Sequence, residues 1–235
     1  MTYLRWDVRG PYEVVFTTRA GGVSDGPYAS LNLGRKTGDD VERVDENRRR
    51  ACAEIGADSE RLALNYQLHS TLVHRARPGA RGEPGDGLWT DELALPILAM
   101  SADCLPIALA RVNGEGPAIA VVHAGWRGLL DGIVASAVAA LGGGTLAAAI
   151  GPAIGPCCYE VRDDVADPFR ARFGPEIVND GRLDLWRAAE AALREAGVDQ
   201  VERFDVCTAC NPELFFSHRR DGKPRGVQGV VARVG

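Results

Sequence analysis

The stretch Ala99–Gly128, AMSADCLPIALARVNGEGPAIAVVHAGWRG, decides how the rest of the chain is read. Two apolar runs, Leu105–Leu109 and Ala118–Val122, have strand length, and the polar connection between them contains Asn113-Gly114, a hairpin signal. Cys104 opens the first run and His123 closes the second, before Gly125 and Gly128 break the extended pattern. Antiparallel pairing of the two runs therefore predicts a thiol and an imidazole at one end of a hairpin. Both groups ligate metals, and together they can also form a nucleophile and its base.

Outward from this hairpin, the chain of 235 residues is long enough to bury a substantial core. Its apolar fraction of 46% and charged fraction of 25% are those of an ordinary globular protein. A net charge of −5 without any basic run argues against a nucleic-acid partner. Lys36 and Lys223 are the only lysines, so an anion site here would be built from arginine. The start, MTYLRWDVRG, lacks the basic and apolar regions of a signal peptide. The Ala-rich region 132–154 is interrupted by Gly142-Gly143-Gly144 and makes a poor membrane span. Six cysteines without a secretion signal point to reduced thiols. The expectation is a cytoplasmic protein, a monomer or small homo-oligomer with no membrane partner.

Along the chain, Val14–Thr18 predicts a strand, followed by a glycine-rich loop through Arg19, Ser30 and Asn32. Such a loop can bind an anion or sugar, but the sequence alone favours a plain surface connection. Asp39 or Asp40 can cap a helix running to about Ile55 and carrying Arg48. Leu62–Leu68 predicts a strand ending beside His69, and Arg75–Gly87 reads as a loop. Apolar residues at helical spacing predict one helix over Gly128–Leu141, and Thr145–Ile150 another strand. A turn-rich segment, Gly151–Glu160, precedes a helix capped by Asp184 and stopped at Gly197. Late strands are expected over Val201–Cys207 and Val227–Val234. Strands and helices do not alternate regularly, and no stretch reads as a linker. One domain over residues 1–235, of the mixed-sheet α/β or α+β type, is expected.

The chain has four histidines, His69, His74, His123 and His218. His69 and His123 with Cys104 would make a three-ligand set that leaves a tetrahedral zinc ion one open position, the pattern of a catalytic site. Cys104 as nucleophile with His123 as base, or both as ordinary buried side chains, remain open readings. Cys207-x-x-Cys210 is half a metal signature without its second half, and reads as structural. The adjacent Cys157-Cys158 read as packing in a turn, and Arg219-Arg220 as a solvated pair.

Several blocks stand together in the order of a known family: Thr17–Ser24, Ser30–Gly34, Gln67-Leu68-His69, Ala102–Pro106, His123–Gly128, Ile154–Val161 and Phe216–Arg220. The chain resembles the YfiH-like family, also labelled laccase-domain or multicopper polyphenol oxidase. That family is associated with zinc-dependent purine nucleoside phosphorylase and adenosine deaminase activity. The resemblance implies an α/β/β/α-type layered sandwich, with His69, Cys104 and His123 as catalytic zinc ligands. A nucleoside and phosphate would be the small-molecule partners. Candidate contacts to them are Arg19, Ser30, Asn32, Arg48, Arg127 and Arg219, with Asp103 or Glu160 as acid/base. One His-Cys-His set cannot supply the several centres that a copper oxidase needs. Some members look like peptidoglycan-editing amidases, a competing activity, and a binding module without turnover is a third reading. Where the family often has Thr-Gly-Arg-Gln, this chain has Arg225-Gly226-Val227-Gln228, so Arg225 or Arg219 would have to stand in for that arginine.

Overall fold

The computed structural model describes residues 3–235. The hairpin forms: β8 (Leu105–Gly114) and β9 (Ile119–Ala124) pair antiparallel, with Leu105 opposite Ala124 and Pro106 opposite His123. Asn113-Gly114 does not make the turn. Both residues continue β8 beyond the hairpin and pair with the next strand, β10 (Gly144–Ile150), so the chain reverses over 115–118 instead.

Period-two alternation along the hairpin builds two cores. Leu105, Ile107, Leu109, Ala120 and Val122 point to one side, and Ala108, Ala110, Ile119 and Val121 to the other. The hairpin sits inside a six-stranded sheet ordered β13-β10-β8-β9-β6-β4, completed by β4 (Val73–Arg75), β6 (Gly87–Thr90) and β13 (Gln200–Arg203). A second six-stranded sheet runs β1-β2-β14-β7-β3-β5. Its strands are β1 (Tyr3–Arg5), β2 (Tyr12–Thr17), β3 (Ala63–Tyr66), β5 (Arg81–Pro84), β7 (Ile97–Ser101) and β14 (Gln228–Val234). Both sheets are mixed, with parallel pairs β3–β7 and β4–β6 among antiparallel ones.

Between the sheets, Ala108, Ala110, Ala147 and Ala149 meet larger side chains such as Phe16, Ile97 and Val230. Small against large lets the two layers interdigitate. The far face of the second sheet is covered by α1 (Val41–Glu54), which buries Ala51 and Cys52 against Val15, Leu64 and Val231. Asp40 caps this helix, accepting from the backbone N–H groups of Glu42 and Arg43. The far face of the hairpin sheet is covered by α2 (Trp126–Asp131), α3 (Ile133–Leu141), α4 (Asp163–Phe173) and α5 (Leu185–Glu195). The order is helix, sheet, sheet, helix, as the family resemblance implies.

Three local expectations differ from the structure. The helix predicted over Gly128–Leu141 is two helices, because Gly132 adopts φ +99° and ends the first while starting the second. The predicted loop 75–87 contains β5, whose residues are all exposed and so carry no hydrophobic pattern to read. The helix α4 was not anticipated: Pro168 lies inside it, and Ala166 and Phe169 are its only buried residues. No helix among the described residues is long and apolar enough to cross a membrane.

Candidate metal centre

Two of the passages from one sheet to the other each carry a candidate ligand. His69 lies on the passage from β3 to β4, and Cys104 on the passage from β7 to β8. Gln67 aligns the two passages. Its side-chain amide donates to the Met100 carbonyl (2.7 Å) and its side-chain oxygen accepts from the Met100 N–H (2.9 Å), extending the β3–β7 pairing by one step. His123, buried in β9, completes the group.

One ligand atom from each of His69, Cys104 and His123 lies within 4.8 Å of the others. Cys104 Sγ is 3.9 Å from His69 Nε2, and the two imidazoles meet edge to face at 4.9 Å between centroids. Zinc bonds of about 2.3 Å to sulfur and about 2.0 Å to nitrogen imply a ligand spacing of about 3.6 Å, close to what is seen. His69 is exposed, Cys104 half-buried and His123 buried, so the group opens to solvent on the His69 side. Gly125 is required here for steric reasons. A Cβ at that position would sit 2.5 Å from His69 Cδ2 and 3.3 Å from Cys104 Sγ.

Asp86, which lies in the stretch 75–87 that reads as a loop in the sequence, organises the site. Its fully buried carboxylate accepts from His123 Nδ1 (2.8 Å), from the backbone N–H groups of Leu68, His69 and Ser70, and from the Ser70 hydroxyl. These bonds hold the passage through His69 in place, with His69 itself at φ +62°. They also fix the His123 ring so that Nε2 is the nitrogen left for a ligand. Burial opposes ionisation of Asp86, but the His123, Ser70 and Leu68 hydrogen bonds outweigh it and hold the carboxyl well below the usual range. The signal that could have found Asp86 is its chemistry: a metal-ligating histidine needs a partner for its second nitrogen.

Burial likewise opposes charge on Cys104 and His123, yet each stabilises the other's charged form. The thiol is lowered to about 6, with His69 contributing, and the imidazole, also bonded to Asp86, is raised to about 9. A thiolate beside an imidazolium is a site in which a cation can replace a proton.

The remaining candidates separate into two groups. Arg19 donates to the carbonyls of Ala29 and Pro212 and stacks on Phe216, and Arg48 is buried with its Nε on the Leu33 carbonyl. Ser30 bridges the Gly22 N–H and the Arg19 carbonyl. Asn32 is fully buried, its amide donating to Thr37 and Asp39 and its oxygen accepting from Gly34 and Val227. Hydrogen bonds within the chain engage all four, and Arg48 and Asn47 of α1 hold the loop against that helix, while Gly21 and residues 25–27 remain exposed. Arg127 is exposed and stacks on Trp126 at the start of α2. Glu160 is exposed, 3.8 Å from Arg182. Asp103, in the left-handed region at φ +87°, accepts from the Thr208 hydroxyl and the Arg219 N–H, both at 2.6 Å. Its carboxylate anchors the C-terminal segment beside Cys104.

Arg219 donates to the carbonyls of Cys158 and Glu160 and stacks over Tyr159. Arg220 is not a solvated residue: it donates to the carbonyls of Thr208, Ala209 and Phe215. Two more groups stand beside Cys104: Tyr159, which the sequence does not mark as a contact, and Arg225, a stand-in for the family's arginine. Burial, then the nearby Cys104 charge, raises the Tyr159 phenol to about 12. Half-buried Arg225 is lowered by burial while Asp103 and Cys104 offset that, and its Nε is buried without a hydrogen-bond partner among the described residues.

Comparison with known proteins follows the same lines. The family model described as multi-copper polyphenol oxidoreductase laccase matches residues 13–234. The purine nucleoside phosphorylase YlmD of Geobacillus stearothermophilus is 38% identical, over 93% of this chain and 88% of its own length. A Deinococcus radiodurans protein named purine nucleoside phosphorylase is 40% identical, over 94% of this chain and 90% of its own. The crystal structure of YlmD superposes with a TM-score of 0.90, covering 100% of this chain and 96% of that one at 34% identity. The Neisseria meningitidis protein NMB0706 gives 0.88 at 33% identity, covering 100% and 99%. With its fold, its sequence blocks and these relatives in agreement, the chain belongs to the YfiH-like family, whose model carries the laccase description.

Proposed function

We propose that this protein is a zinc-dependent purine nucleoside phosphorylase that also deaminates adenosine, with zinc held by His69, Cys104 and His123. The observation that carries this reading is the convergence of two imidazoles and one thiol at a solvent-open edge. The names of relatives at 32–40% identity support purine nucleosides as the substrate class. Bound there with one position open, zinc supplies a Lewis acid and brings water near to deprotonation at neutral pH. Zinc suits the donors better than a copper cluster does. His74 is bonded to the Pro84 carbonyl, His218 is exposed at the start of a short helix, and neither joins a ligating cluster among the described residues.

Around the ligands, this chain's side chains supply binding and proton control. Arg225, whose Nε has no hydrogen-bond partner among the described residues, is the cation to hold phosphate, since Arg19, Arg48 and Arg219 are engaged with backbone carbonyls. Exposed Leu68, next to His69, offers an apolar contact to a flat base. Tyr159 stays protonated at neutral pH and can donate a hydrogen bond to the purine as charge builds on it. Glu160 is exposed and available to carry a proton, whereas Asp103 is held by Thr208 and Arg219.

The test is turnover of inosine with phosphate to hypoxanthine and ribose 1-phosphate, and of adenosine to inosine without phosphate. His69→Ala should lower both rates by at least about 100-fold and remove the ion from this centre. Wild-type protein that turns over neither nucleoside, or a His69→Ala variant that keeps its activity, overturns the reading.

A further inference from the structure

A second cluster lies apart from the three-ligand centre. Cys157, Cys158, Cys207 and Cys210 place their sulfurs within 4.8 Å of one another, although they come from two segments about fifty residues apart in sequence. Cys210 Sγ is 3.4 Å from Cys157 Sγ and 3.3 Å from Cys158 Sγ. We propose that these four thiols form a structural zinc site, closed by protein ligands, that ties the Gly151–Tyr159 turn to the C-terminal segment.

The geometry favours one shared ion. Zinc–sulfur bonds of about 2.3 Å in a tetrahedron put neighbouring sulfurs about 3.8 Å apart, inside the observed range. Four thiolates and no other donor select a soft ion, and four protein ligands leave no open position. A disulfide would use two of the sulfurs, yet Cys210 is almost equally distant from two adjacent partners. The Cys207-x-x-Cys210 half has the usual ligand spacing. The Cys157-Cys158 half does not, which is why the sequence alone did not join the two.

The surroundings are built for a sulfur cluster. The Gly155 N–H donates to Cys207 Sγ at 3.2 Å, a bond that supports a thiolate, and the Cys207 carbonyl accepts from Asn211. Gly155 has no room for a side chain: a Cβ would lie 2.7 Å from the Trp186 ring and 3.3 Å from Cys157 Sγ. Ala153 and Cys207 form a parallel bridge, with the Thr208 N–H donating to the Ala153 carbonyl at 2.9 Å. The cluster thus fastens two segments that both face the first centre, one through Tyr159 and the other through Thr208 on Asp103.

Metal analysis of protein purified under reducing conditions without chelator tests this. Wild type should carry about two zinc ions per chain, and Cys157→Ser/Cys210→Ser and His69→Ala/Cys104→Ala about one each. In the His69→Ala/Cys104→Ala protein, cobalt replacing the remaining zinc should show the strong sulfur-to-metal absorption of a four-thiolate tetrahedron. Wild type with about one zinc that His69→Ala/Cys104→Ala abolishes would overturn the proposal while leaving the first centre intact. Iron in place of zinc, or a mass lower by two hydrogens from a disulfide, overturns it too. Should the serine variant not fold, wild type and the His69→Ala/Cys104→Ala protein still decide.

Discussion

Asp86 concentrates more of the site in one side chain than any ligand does. It holds three consecutive backbone N–H groups, a hydroxyl and the far nitrogen of His123, so replacing it acts on both centre and fold. Asp86→Asn keeps the shape but loses the charge and turns one acceptor into a donor facing N–H groups. Zinc affinity should fall about 10- to 100-fold, read by competition with a chromophoric chelator. The pH dependence has a definite sign. A carboxyl depressed in the folded state stabilises above its unfolded value, about 3.9, and that contribution drains away as pH falls below it. Urea titrations between about pH 5 and pH 3 should therefore show a steeper loss of stability in wild type than in Asp86→Asn. Equal slopes would show that Asp86 is not the carboxylate in question.

Among the elements, the paired helices α2 and α3 show how one backbone position redirects a segment. The apolar spacing over Gly128–Leu141 runs through Gly132 without a break, so side chains alone predict one helix. The left-handed φ of Gly132 bends the path, letting α2 start directly after Gly125 at the candidate metal centre while α3 packs over β9. No heavy atom lies within 4 Å of a Cβ built at Gly132, so Gly132→Ala tests conformation rather than packing. It should cost about 1 kcal/mol by urea denaturation and leave zinc content unchanged. A neutral or stabilising result would mean that the bend is set by the neighbouring packing instead. The unanticipated α4 has the opposite character. Phe169 and Ala166 anchor it to the core, but Pro168 and five charged residues mask that stripe in the sequence.

For the molecule as a whole, the close approach of the two sheets rests on small residues. Ala149 is fully buried between them, next to Ala108 across the β8–β10 ladder. Ala149→Leu adds volume where both layers are already filled. It should cost about 1–3 kcal/mol and lower Tm by about 2–4 °C for each kcal/mol, measured by thermal denaturation of chelated protein so that metal binding does not mask it. An unchanged Tm would show space between the sheets that the packing here denies.

Two uninterrupted apolar runs of strand length within 105–124 were sufficient to predict the central hairpin, although the Asn113-Gly114 signal marks a strand end rather than its turn. The same runs also determined that Cys104 and His123 share an end, since pairing of adjacent strands is a local event. Asp40, the strand at 145–150 and the capped helix at 185–195 were legible for the same reason. His69 could be named as a candidate ligand from its residue type and from the family resemblance, but its place beside Cys104, like that of Asp86, depends on sheet-to-sheet crossings that no local pattern encodes. Asn32 and Arg48 fall in the same class: a polar residue near a glycine-rich loop looks the same whether it faces a ligand or its own backbone. Only the packed structure settles which, by showing whether the hydrogen-bonding groups are already satisfied within the chain. The two pairs of cysteines give the plainest case, since sulfurs from distant turns become one cluster only when the sandwich closes.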